Sequence, residues 1–162
     1  MIDLHPTARV SSFADIEDSA RGSKIIIGAN SVIDSFVKIK PAGGSGNLII
    51  GEFSTINSGC VLYTGSGINI GNNVAIAANC TLAPVNHEYE KKGILIRQQG
   101  FRKSKGGIVI EDDVWIGASC VLLDGAILRQ GCVIGAGSIV RGEIEPYSIN
   151  VGIPLTVIGW RK

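Results

Sequence analysis

At 162 residues the chain has the length of one domain. Its 15 Lys and Arg against 14 Asp and Glu, a net charge of +1, exclude the strong basic excess of a general nucleic-acid binder. Twenty-two Gly beside two Trp, three Tyr and four Phe are too few rings for an ordinary globular core, and fit a narrow structure built on tight turns.

An aliphatic residue returns every six positions through most of the chain, a period that suits neither an amphipathic helix nor a half-buried strand. It predicts a solenoid with three short strands per coil, one on each face of a triangular prism. The aliphatic residue is expected to fill a corner, and a small residue four positions later to pack beside the turn. In chain order, Val10 and Ile16 open a frayed first coil that Ala20 to Lys24 interrupts. His5, before Pro6 in that ragged stretch, reads as a bystander. Ile27, Ile33 and Ile39 form the next set, ended by the turn formers Pro41 to Asn47. Ile50, Ile56 and Leu62 follow, with companions Ser54, Cys60 and Ser66. After a slip at Gly65-Ser66-Gly67 come Ile70, Ile76 and Leu82, with companions Val74, Cys80 and Asn86.

Between Leu82 and Ile110 the count stands at 28 residues in place of six, so a loop of about 22 residues, an insertion at about 86–107, projects from the coil. It carries Lys91, Lys92, Arg97, Arg102, Lys103 and Lys105 against Glu88 and Glu90. The period is then unbroken through Ile110, Ile116, Leu122, Leu128, Ile134 and Val140, with Val114, Cys120, Ala126, Cys132, Ser138 and Ile144 as companions. Residues 145–162, with Pro146 and Pro154, are expected to cap the C-terminal end of this single domain, and the uneven N-terminal segment the other. About six coils at ~4.8 Å per strand give an all-β prism roughly 28 Å tall. Cys60, Cys80, Cys120 and Cys132 all occupy companion positions, so they read as packing residues, and unpaired thiols suit a cytoplasmic location. Met1 to Pro6 shows no signal-peptide pattern, and no apolar run reaches the ~18 residues of a membrane span. His87, where the coil gives way to the basic loop, is a candidate general base, with Glu88 beside it.

The hexad, Asn86-His87, Val114-Trp115-Ile116-Gly117-Ala118, Ile134-Gly135-Ala136-Gly137-Ser138, and Gly152-Ile153-Pro154 with Val157-Ile158 together resemble the hexapeptide-repeat acyltransferases. The likeness covers roughly residues 27 to 158 and is nearest to the branch of maltose, galactoside and surface-polysaccharide O-acetyltransferases. It implies a left-handed parallel β-helix, a homotrimer with active sites between subunits, and acetyl-CoA as donor. It further implies His87 as catalytic base, with Asn57, Trp115 and Glu88 on the acceptor side. Gly117, Ala118, Gly135 and Ala136 would approach the thioester and pantetheine arm through their backbone, and Arg141, Pro154 and Arg161 the rest of CoA.

Where relatives often carry basic residues for the CoA phosphates, this chain has Gly142, Thr156 and Gly159, so Arg141, Arg161 and Lys162 are the substitutes at hand. The N-terminal helical segment of the maltose-type enzymes is also missing, which turns the expectation from a simple sugar towards an anionic, nucleotide-linked or lipid-linked acceptor. The expected activity is O-acetylation of a sugar of a surface polysaccharide or its precursor. N-acetylation of a nucleotide-linked amino sugar and a non-catalytic β-helix scaffold are the alternatives. A zinc site on this prism needs three histidines, and the chain has two, so no metal is expected.

Overall fold

The computed structural model describes residues 1–162, wound into a left-handed parallel β-helix of six full coils and part of a seventh. The first face is a seven-stranded sheet running from Ile2–Leu4 to Glu143–Ile144. The second runs from Arg9–Val10 through Trp115–Ile116 to Ser148–Val151. The third runs from Asp15–Ile16 through Thr81–Ala83 to Ile139–Val140. Seven strands at ~4.8 Å make a stack about 29 Å tall.

The period of six explains the register. Because every rung has the same length, each aliphatic residue lands above its counterpart: Ile56, Ile76, Ile116 and Ile134 pair in succession on the second face. These residues are fully buried and belong to one core of 28 side chains, nearly all Ile, Leu, Val and Cys. From Gly22 onward each corner turn carries a residue in the left-handed region, which Asn and Gly enter most readily. At the edge between the second and third faces the column reads Phe36, Gly59, Asn79, Ser119 and Gly137, with φ of 63°, 72°, 61°, 60° and 71°.

Several details depart from the hexad reading. The aliphatic residues lie on the strands, and the corner turns follow about two positions later, so the corners are filled by backbone and small side chains. Ser66 is half-buried and Asn86 exposed. After the three-residue strands Val61–Tyr63, Thr81–Ala83 and Val121–Leu123 of the third face, the next inward position comes early, at Thr64, Pro84 and Asp124, all buried. The N-terminal segment forms the first coil and leaves Ile2 and Leu4 exposed on its open edge. At the other end Thr156–Trp160 turns back antiparallel on Ser148–Val151, ending the parallel stack. The insertion holds one short helix, Ile96–Gln99. All four cysteines are buried and free, and burial pushes the Cys132 thiol up to about 12. No helix is long and apolar enough to cross a membrane.

Leu122, fully buried at the centre of the stack, supplies a test of the core. Leu122→Ala is expected to lower unfolding free energy by about 2–5 kcal/mol in denaturant titrations, while Ile94→Ala, on the exposed loop, stays within ~0.5 kcal/mol of the parent.

Candidate active site

The three edges of the prism carry different chemistry. On the edge between the second and third faces lie Asn57, Gly117, Ala118, Gly135 and Ala136. The Gly137 amide donates to the Ala118 carbonyl at 2.8 Å, which stacks Ala118 and Ala136 one coil apart. Neither the Ala118 nor the Ala136 amide donates to another group of the chain, so two donors one above the other face outward. Gly117 has no room for a side chain, since a Cβ there would meet the Ala136 nitrogen at 2.5 Å. Asn57 is half-buried, and its side-chain amide donates to the Ile76 carbonyl at 2.8 Å, leaving its oxygen available. Trp115 points out of the second face between Ala75 and Val133 and is 54 % exposed.

His87 lies elsewhere, on the edge between the third and first faces, where residues 84–107 join Thr81–Ala83 to Ile108–Ile110. The insertion folds on itself as a short antiparallel ladder: Glu88 N donates to Gly100 O at 3.0 Å, Arg102 N donates to Asn86 O at 2.8 Å, and His87 bridges Phe101. The exposed His87 ring rests on the Phe101 ring at 4.6 Å. Glu88 accepts from the Tyr89 amide at 2.9 Å and pairs with Arg102 at 3.3 Å. The Tyr89 amide and the Arg102 guanidinium hold its carboxyl below the usual range. Arg102 also pairs with Glu90 and lies over the Tyr89 ring at 4.5 Å. The return limb is moored by buried Asp124, which accepts from Ser104 Oγ at 2.8 Å, Lys105 N at 2.7 Å and Gly107 N at 3.0 Å.

At the C-terminal end, Arg141 and Pro154 line one hollow of about 580 Å³ together with Ile139, Asn150 and Val157. Arg161 lies outside it, donating to Asp113 Oδ2 at 2.8 Å and to Gly131 O at 3.0 Å on the third edge. That edge is laced by polar pairs, with Arg129 between Glu111 and Glu143, and Asn72 bonded to Asp112.

The predicted residues thus fall into separate groups within one chain: the small-residue column with Asn57, the loop with His87 and Glu88, and the basal hollow. Glu88 and Arg161, expected on the acceptor and CoA, are engaged by Arg102 and Asp113 respectively. Phe101, Asp124 and the pairing of Arg102 with Glu88 and Glu90 escape sequence reasoning. Only Asp124 leaves a signal there, a carboxylate at an inward position of the coil. No group of three or more His, Cys, Asp or Glu is arranged to hold a metal ion.

Comparison with known proteins bears on this arrangement. Residues 107–142 match the family described as bacterial transferase hexapeptide (six repeats). A galactoside O-acetyltransferase of Escherichia coli is 35% identical over 69% of this chain and 53% of its own length. A probable acetyltransferase of Mycobacterium tuberculosis is 34% identical over 72% of this chain and 38% of its own length. The chain therefore spans about half or less of the length of these curated relatives. Among solved structures, an N-acyltransferase from Bacillus cereus in complex with dTDP-4-amino-4,6-dideoxyglucose and coenzyme A superposes with a TM-score of 0.81 at 28% identity, over 99% of this chain and 84% of that one. A hexapeptide-repeat acetyltransferase of Vibrio cholerae complexed with acetyl-coenzyme A gives 0.66 at 23% identity, over 84% and 70%.

Asp124→Ala strands the Lys105 amide and the Ser104 hydroxyl and leaves the Gly107 amide only its longer bond to Ser104 Oγ at 3.2 Å, a loss of about 1–3 kcal/mol if those groups stay dry. The expected result is faster hydrogen exchange at Lys105 and Gly107, with the Ile134 and Leu122 amides unchanged.

Proposed function

Because the chain belongs to the hexapeptide-repeat family, we propose that it is an acetyl-CoA-dependent O-acetyltransferase acting on a sugar hydroxyl of a surface polysaccharide or its precursor. The observation that carries the reading is the pair of unpartnered amides at Ala118 and Ala136 on an edge of small residues, where Gly117 has no room for a side chain. A narrow, flexible arm can lie against such backbone where a bulkier wall would exclude it.

Acetyl-CoA supplies an activated acyl group. Each other element of the step belongs to the chain. His87 takes the proton from the acceptor hydroxyl as its oxygen bonds to the acyl carbon. The Ala118 amide donates to the negative charge that develops on the acyl oxygen, a fixed dipole that needs no reorganisation. The proton held on His87 then balances the charge of the departing thiolate. Trp115 offers an exposed indole as a wall for the acceptor or the pantetheine arm, Asn57 a free amide oxygen, and Arg141 with Pro154 a seat for the distal part of the donor.

His87 and Ala118 lie on different edges of one prism, so the two meet only across a boundary between protomers. This supports a homotrimer, a closed ring in which the His87 edge of one copy faces the Ala118 edge of the next. A second reading, N-acylation of a nucleotide-linked amino sugar, is favoured by the likeness to the B. cereus N-acyltransferase; an amine needs less help from a base.

His87→Ala is expected to lower kcat by ~10²-fold or more with CoA binding by calorimetry unchanged, and near-normal turnover on hydroxyl sugars removes His87 as base. Side-by-side assay of hydroxyl and amino sugars separates the two readings. Mixed trimers provide a check on shared sites: co-expressing His87→Ala chains with Ala118→Arg chains is expected to restore activity at about a quarter of the sites, where each homotrimer alone is inactive. No recovery means that the site lies within one chain.

A further inference from the structure

We propose that Phe101 is the positioning residue for the His87 imidazole, filling the role that an orienting carboxylate would otherwise take. The inference rests on the reading of His87 as base, and goes beyond it by naming what holds the ring.

A base must keep its ring at a set angle to the proton it removes, because small misplacements in the reacting geometry are costly. Within the chain neither His87 nitrogen has a hydrogen-bond partner, in contrast to His5, whose ring is bonded to Thr7 at 3.0 Å. Glu88, adjacent in sequence, is committed to Arg102 and to the Tyr89 amide. The imidazole lies against the Phe101 phenyl, with centroids 4.6 Å apart and planes tilted by 34°, within the range of attractive aromatic pairs. This contact fixes the plane of the ring and leaves both nitrogens open to substrate.

The backbone enforces the pairing. His87 and Phe101 face each other in an antiparallel bridge, bracketed by the Glu88–Gly100 and Arg102–Asn86 hydrogen bonds. The phenyl is supported from behind by the Pro41–Asn47 loop, where a Cβ on Gly43 would stand 3.5 Å from Phe101 Cε1 and 2.7 Å from Val85 Cγ1. Gly43 therefore lets the hairpin settle close to the prism, and Phe101 passes that placement to His87. Next to them, the Arg102 pairs with Glu88 and Glu90 keep the strands of the hairpin together.

The test uses the whole chain and both a spectroscopic and a kinetic readout. With only two histidines in the sequence, the ring protons of His87 are assigned by their loss in His87→Ala. In the parent protein they are expected to be shifted by the Phe101 ring current relative to those of His5. That shift disappears in Phe101→Leu and survives in Phe101→Tyr. Turnover is expected to fall about tenfold in Phe101→Leu at unchanged KM for acetyl-CoA, and to stay within about twofold in Phe101→Tyr. Unshifted His87 protons in the parent, or full turnover in Phe101→Leu once the ring is released, overturns the proposal. Failure of the base reading is visible separately, as full activity in His87→Ala.

Discussion

The structure depends on vertical register. Each coil is laid on the one before it by parallel hydrogen bonds, and those bonds can form only if each rung matches the length of the rung beneath it. The six-residue rung sets that length, and the column Ile56, Ile76, Ile116 and Ile134 is its consequence. Burial of such side chains contributes roughly 1.5–3 kcal/mol each, but only when all of them point to the axis together. A one-residue slip would turn a whole strand inside out. Length changes are therefore confined to the corners, and in this chain almost all of them fall at one edge: Pro41–Asn47, Gly65–Gly67 and residues 84–107.

This confinement separates the work of the edges. The edge that takes insertions supplies irregular backbone, and with it His87. The edge between the second and third faces takes none along coils four to six, so its turns repeat and leave a straight groove of small residues with outward amides. The remaining edge is laced by Arg129, Glu111, Glu143, Asp113 and Arg161, where exposed pairs contribute little individually but hold long side chains flat.

The repeat was legible in the sequence because it is a local rule enforced many times: the aliphatic positions from Ile27 to Val140 lie where the count puts them. The four buried cysteines at the companion positions were legible for the same reason. The count was misleading where the geometry of one face differs from the others. Leaving the third face, the chain turns its next inward residue to the axis two positions after the strand's buried Leu, so Pro84 and Asp124 are buried and Asn86 is exposed. Nothing in a period reveals contacts between parts of an insertion. The pairing of Glu88 with Arg102 and of His87 with Phe101 spans 14 residues each, with no repeat to fix the alignment. Arg161 is an analogous case: its partner Asp113 lies 48 residues away, brought near by the coil count and by a reversal of the last strand.

The same logic explains why a rigid prism places its chemistry at an edge. A face of the solenoid is a row of short strands whose outward residues are fixed in spacing by the rungs, about 4.8 Å apart, with no cavity between them. Depth has to come from something that stands away from the face, either an insertion or another prism. Here the insertion stands away at one edge and the groove of free amides runs along another, with the packed core of the prism between them. Under the proposed function, a reaction between groups on the two edges would draw on a second copy of the prism. Stability and placement of the site follow from one feature, the unvarying length of the rung.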